Sequence, residues 1–308
     1  MRRWMVLLVC VPLALVLRGQ HGGFGSLIYP EKLRADAELL RSAIHLAHPD
    51  PYRFITRGEL DWAFDQLIDS LREPLTADRF LRRMMPVLAR IGDSRLRADL
   101  DSSLVDRVMS EALLLPFTVR LIDEGLYINA ELKGFRSFAP GSRIISINGL
   151  SAERIIRDLS QWVAVDGANE SGRRHQVQER FSWLFLLTYG SVNSYLVETE
   201  TVNGDRREDV VAGLRQEEID TSLKPSCLAL HPWRSSWDRE SAALWVSLTT
   251  LDPEGLKRSG QKPKAFLEAV LKEARTESAK ALVLDLRGAD GRELGMAEWV
   301  FASIAREP

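Results

Sequence analysis

The chain has 308 residues, of which 45% are apolar and 27% charged, and its net charge is -2. That length holds two or three domains with substantial cores, and the composition excludes a disordered chain or a repeat array. The charge balance gives no basic face and argues against a nucleic-acid partner, and two cysteines cannot build a disulfide framework.

Chain order begins with a targeting signal. Arg2 and Arg3 precede 14 apolar residues, Trp4 to Leu17, and then a polar stretch with small residues. The apolar run is shorter than the roughly 20 residues a membrane-spanning helix needs. Residues 1–25 therefore read as a secretory signal peptide or an N-terminal membrane tether, and the chain as exported: periplasmic, extracellular or membrane-anchored. Cys10 stands inside this run behind the bulky Val9, a poor lipoprotein context.

Residues 31–100 read as a helical domain. Leu33, Ala37, Leu40, Ile44 and Ala47 recur at three- and four-residue spacings, one apolar stripe that ends at the prolines of "HPDPYRF". Thr56 and Glu59 form a capping box ahead of a second helix with Leu60, Phe64, Leu67 and Leu71 on one face. Thr76 caps a third, with Phe80, Met84, Val87 and Leu88 as its expected stripe.

After Leu113 the period changes. "LLLPFTVRLIDEGLYINAELKG" predicts two strands joined by a tight Asp-Glu-Gly turn. A strand from Arg143 to Ile147, an Asn148-Gly149 turn and a helix capped by Ser151 follow. Arg173 to Leu187 reads as helix, and a hairpin turns at Asn203-Gly204. Residues 113–213 make up this module. The polar, Ser-rich stretch 214–240 reads as a linker. From 241 on, the strand Ala242 to Thr249, the helix Lys264 to Ala274 and the strand Ala281 to Leu286 form a crossover unit in one sheet. The fold class is α/β and multi-domain.

Three stretches, in this order, resemble the tail-specific, or C-terminal-processing, serine peptidases related to the tricorn core. "HPDPYRFITRGELDWAFDQLIDSLREPLTADRFLRRMMPVLARIGDSRL" is similar to that family's helical region with its Gly-Asp-Gly-His-Thr segment. "PGSRIISINGLSAERIIRDL" is similar to its PDZ-like module, and "ALVLDLRGADGRELG" to its Asp-Leu-Arg-Gly-Asn-x-Gly-Gly segment. The resemblance implies a helical N-terminal domain, a PDZ-like module at 113–213 and a partial crotonase-like domain at 241–308. It also implies proteolysis as the ancestral activity, a peptide or protein ligand, and neither cofactor nor metal.

In the family a loop glycine amide stabilises the oxyanion, so Gly288 and Gly291 are the oxyanion-loop remnant here. The family's serine follows a later strand, and the chain closes at Pro308, so a truncated, inactive member is expected. Arg95 stands where the family has its histidine, with Ser94 in place of a glycine, and a guanidinium cannot act as a general base. Ala289 replaces an asparagine, and Asp290 and Arg292 replace glycines, which sets a carboxylate beside the expected oxyanion hole. Asp285 and Arg287 match the family and read as strand-end structural residues. No catalytic residue is assigned. The alternative is a non-catalytic exported protein that binds peptide ends through the PDZ-like module.

Rival chemistry is weaker. Ser94 in "GDSRL" lacks the downstream Asp-x-x-His that a Gly-Asp-Ser-Leu hydrolase needs. Cys227 and His231, four apart, have no third group in their segment and read as structural. His45 and His48 lack further metal ligands and read as capping or packing residues. Trp233, Trp237 and Trp245 read as core, with peptide contact the sharper minority reading.

Overall fold

A computed structural model describes residues 24–96, 98–132, 137–222, 231–287, 289, 291 and 294–305. The expected leader up to residue 23, with Cys10, and also Cys227, Gly288, Asp290 and Arg292 lie outside them. The fold is α/β and multi-domain, and the chain divides into two compact units, up to residue 222 and from 223 on.

The first unit opens with α1, Pro30–Ala47, whose Pro30 needs no amide partner in the first turn. Leu33, Ala37 and Ile44 are buried, whereas Ala47, expected on the stripe, is exposed. The capping box of α2, Arg57–Ser70, is present in both halves: Thr56 Oγ1 accepts from Glu59 N–H, and Glu59 accepts from Thr56 N–H at 2.9 Å. Before α3, Ala77–Ala89, Thr76 takes the N-cap position, but its side chain makes no cap bond and its Oγ1 is buried without a partner. The face of α3 is also shifted. Leu81 and Met85 are buried, while Phe80 and Met84 are only partly so. The helix α4, Ser102–Glu111, capped by Asp101, has no counterpart in the sequence reading.

The sheet of this unit has the order β1-β2-β3-β5-β6, with β4 paired to β3, and every pairing is antiparallel. Its strands are β1, Phe117–Ile122; β2, Gly125–Glu131; β3, Arg143–Ile147; β4, Leu150–Ser151; β5, Ser194–Glu200; and β6, Arg206–Ala212. The Asn148-Gly149 turn has φ of 51° and 75°, the left-handed pair a two-residue hairpin requires. Ser151 accepts from Arg154 N–H and starts α5, Ala152–Ser160. The single helix expected over 173–187 is two, α6, Glu170–Glu179, and α7, Phe181–Tyr189, which meet at Arg180. One hydrophobic core runs from Leu33 of α1 to Val211 of β6, so helices and sheet fold around shared side chains.

The stretch expected as a linker carries structure: α8, Gln216–Ser222, and a strand, β7, Trp233–Asp238. The polar residues of β7 misled the sequence reading, because its Ser and Arg side chains face out along a strand anchored by buried Trp233. Gln261 completes the anchor: its side chain accepts from Trp233 N–H at 2.8 Å and donates to Trp233 O at 2.7 Å. In the second unit β7 pairs antiparallel with β8, Ala243–Leu248, and β8 pairs parallel with β9, Ala281–Asp285. The helices α9, Pro253–Ser259, and α10, Pro263–Thr276, make the crossover, and α11, Leu294–Ile304, follows. Trp233 sits at the centre of this core, stacked on Trp299 at 6.5 Å and edge-on to Phe266. Trp245 is exposed.

Candidate functional site

Three segments of the first unit converge on one loop. The chain leaves α1 through His48, bends at Pro49 and Pro51, and places Phe54 against two glycines. After α3 it passes Gly92 (φ 72°) into Asp93-Ser94-Arg95, and after α5 it reaches Asp166-Gly167 (φ 59°). A Cβ on Gly92 would lie 2.9 Å from the Phe54 ring, and one on Gly167 would lie 2.8 Å from it. Both positions therefore need glycine, for backbone and for space. Gly167 N–H donates to Gly92 O at 3.0 Å, and Ser94 N–H donates to Asp166 Oδ1 at 2.9 Å. A cleft of about 300 Å³ results, lined by His48, Arg53, Phe54, Asp93, Arg95 and Asp166 among others.

Asp93 is its hub. It accepts from Arg95 N–H at 2.8 Å and from Arg95 Nε and Nη2 at 3.1 Å each. Those bonds hold its carboxyl below the ordinary value of 3.8 and raise Arg95. His48 Nε2 lies 3.2 Å from Asp93 Oδ2, and His48 Nδ1 accepts from Asp50 N–H at 3.3 Å. An accepting Nδ1 fixes the proton of the neutral ring on Nε2, which donates to Asp93. Both ring nitrogens are thus engaged, and His48 presents no lone pair to the cleft. Its role is to tie α1 to the Asp93 loop, a packing role in line with the sequence reading.

The loop after β9 in the second unit repeats this geometry. Asp285 accepts from Arg287 N–H at 3.0 Å and from Arg287 Nε and Nη2 at 2.9 Å each. The carboxyl is held down at about 2 by those bonds. Asp-x-Arg thus closes on itself at both loops, and at both the arginine is spent on the carboxylate two residues before it. Sequence reasoning identified Asp285 and Arg287 as a strand-end pair but missed that Asp93 and Arg95 form the same fork; the shared Asp-x-Arg spacing was the signal. Of the expected oxyanion-loop glycines, Gly291 is described: a Cβ there would meet Leu251 at 2.9 Å. Gly288 lies outside the described residues, as does Cys227 of the Cys227–His231 pair.

Beside the Asp93 loop a larger cavity of about 520 Å³ opens within the first unit. Leu81, Met85, Met109, Trp162, Trp183 and Leu187 give it apolar walls, and Ser94 stands at its polar side with Asp99, Gln176 and Arg180. Among the described residues no imidazole meets the Ser94 hydroxyl, and the Asp166 carboxylate is taken up by the Ser94 backbone amide. Among the described residues no three His, Cys, Asp or Glu groups are placed to hold a metal ion. No helix among them is long and apolar enough to cross a membrane.

No family model matches the chain, and no curated protein matches it. Among solved structures it is similar to a CPAF point mutant, with a TM-score of 0.59 and 12% identity over 86% of this chain. It is likewise similar to mature CPAF complexed with lactacystin, with a TM-score of 0.55 and 12% identity over the same share. A photosystem II D1 C-terminal processing protease aligns at 13% identity over 83% of this chain and 60% of its own, at a TM-score of 0.33. The chain spans 57% of the length of the CPAF structures. At such identities the likeness concerns the fold.

Proposed function

We propose that the chain is an exported protein of the tail-specific serine-peptidase type that engages peptides and does not hydrolyse them by itself. The observation that carries this reading is the Asp93–Arg95 fork, which occupies the place where the sequence resemblance expects the histidine base. The CPAF-like fold over 86% of the chain supports the same family. Acyl transfer needs a nucleophile, a base within hydrogen-bond reach and donors for the oxyanion. Arg95 stays protonated, its Nε and Nη2 lie on Asp93, and His48 has both nitrogens engaged, so neither side chain supplies the imidazole base of the family. Loss of triad members removes about four to six orders of magnitude in rate. Purified protein incubated with an unstructured polypeptide and a fluorophosphonate probe should show background cleavage and no stoichiometric serine label. Labelling of one serine, with cleavage lost when that serine becomes alanine, overturns the reading.

A second reading is a non-catalytic binding protein built on the PDZ-like module. The 520 Å³ cavity favours it: Trp162, Trp183 and Leu187 of the module form one apolar wall, residues 94–109 ahead of it form another, and polar groups stand at the rim, room enough for a peptide end. Titration calorimetry with short peptides ending in apolar residues tests it. Binding that weakens in Leu100→Trp, which narrows the cavity, supports this site; binding unchanged in that variant removes it.

A further inference from the structure

Between α1 and α2, beside the buried stripe of α1, a phenol, an imidazole and a carboxylate stand in line. Tyr52 Oη lies 2.5 Å from His45 Nδ1, and His45 Nε2 lies 2.9 Å from Asp61 Oδ1. The carboxylate can only accept, so Nε2 carries the ring proton and Nδ1 is left with a lone pair aimed at the Tyr52 hydroxyl. Asp61 is itself held by cations on two helices, Arg41 Nε at 3.9 Å and Arg57 Nε at 3.7 Å. Arg41 is tied in turn to Asp65, to Glu38 and to the Asp61 carbonyl. The order nucleophile, imidazole, buttressed carboxylate is that of an activated hydroxyl. Unlike Ser94, whose hydroxyl no imidazole meets among the described residues, Tyr52 has one in contact, and 37% of it is open to solvent.

We propose that Tyr52 is a nucleophilic tyrosine, with His45 as its base and Asp61 as the positioning residue, and that it is the site at which this protein is acylated by activated esters. In the step, Tyr52 Oη attacks the ester carbonyl carbon and the phenolic proton passes to His45 Nδ1. The bond from that carbon to the aryl oxygen then breaks, and the aryl oxide leaves and takes up the proton. The product is an acyl-tyrosine, formed once per chain. Nothing in this step draws on the Asp93 loop, so it stands or falls apart from the peptidase reading.

The molecule contains its own control. Tyr29 is 70% exposed, nearly twice as open as Tyr52. If exposure alone governed acylation, Tyr29 would react first. The full-length protein is treated with p-nitrophenyl acetate, and acetyl groups are located by peptide mass spectrometry over time. Tyr52 should acquire its acetyl at least about a hundredfold faster than Tyr29, the lower end of what a positioned base contributes. His45→Gln should reduce Tyr52 to the rate of Tyr29; Asp61→Asn should do so largely, and Asp61→Glu should restore part of the difference. Tyr29→Phe should leave Tyr52 labelling unchanged. Because the comparison is made within one wild-type chain, a variant that fails to fold does not blunt it. Equal rates at Tyr52 and Tyr29 overturn the proposal and leave the three side chains as a structural tie between α1 and α2.

Discussion

At the scale of single residues, the two Asp-x-Arg forks show how one short pattern satisfies itself. A carboxylate that accepts a backbone N–H and the Nε–Nη2 edge of a guanidinium two residues on needs no further partner. Asp93 adds His48 and so becomes a junction between α1 and its own loop. Asp93→Asn keeps the shape but weakens the charge-assisted bonds, and we expect a loss of about 1–3 kcal/mol in urea unfolding. The pH dependence has a fixed sign. The folded carboxyl titrates below its ordinary 3.8, so its contribution is complete above that value and disappears as pH falls through the lower, folded value. The difference between wild type and Asp93→Asn should therefore narrow on acidification below about 3.8; a difference that widens there contradicts the assignment. Sequence reading saw Arg95 as a lost histidine but not as a fork, because a hydrogen bond between residues two apart leaves no periodic trace. It also left His45 and His48 as packing residues, since the partners Tyr52, Asp61 and Asp93 are brought to them by turns that spacing does not reveal.

Elements were legible where a local rule decides them and illegible where packing does. The capping box at Thr56, the strand Arg143–Ile147, the Asn148-Gly149 turn and the Ser151 cap all follow from chemistry within four residues. The face of α3 does not, because several apolar residues compete and the core selects Leu81 and Met85 over Phe80 and Met84. Strand β7 was missed since only Trp233 and Trp237 mark it, and its anchor, Gln261, is distant in sequence. The Gly92–Gly167 contact under Phe54 belongs to the same class, and it can be tested. Gly167→Ala forces a positive φ on a residue with a Cβ and drives that carbon into the ring, which we expect to cost about 1–3 kcal/mol. Phe54 is half exposed and can yield. In the double variant with Phe54→Ala the steric part should be relieved and the backbone part retained, so the two costs should add to less than their sum; strict additivity would show that the ring does not press on Gly167. Strand β9 carries a different expectation. Parallel strands are ordinarily buried on both faces, yet Ala281 is exposed, the rest of β9 is half-buried, and β9 ends the order β7-β8-β9. Its amides should exchange with deuterium faster than those of β8, whose Leu244, Val246 and Leu248 are fully buried.

For the whole molecule, the decisive feature is the division of the chain at residue 222, with a core of its own in each part. The sequence suggested three pieces, because the change from helical to strand period near 113 looks like a boundary. Yet the helices of 31–100 and the sheet of 113–213 contribute to one core, and period reports local geometry rather than which side chains share an interior. Cooperativity follows cores, so unfolding should report two steps. Trp233 provides the test, since it is fully buried, stacks on Trp299, meets Phe266 and donates its indole N–H to Thr250 O at 2.7 Å. Trp233→Ala removes a large side chain from a small core and strands that carbonyl, a loss of about 3–5 kcal/mol. In scanning calorimetry the variant should lower one transition steeply and leave the other, carried by the Leu33-to-Val211 core, at its wild-type temperature. A single transition that moves as a whole would mean that the two parts unfold together, and that the cores are coupled more tightly than their separate memberships imply.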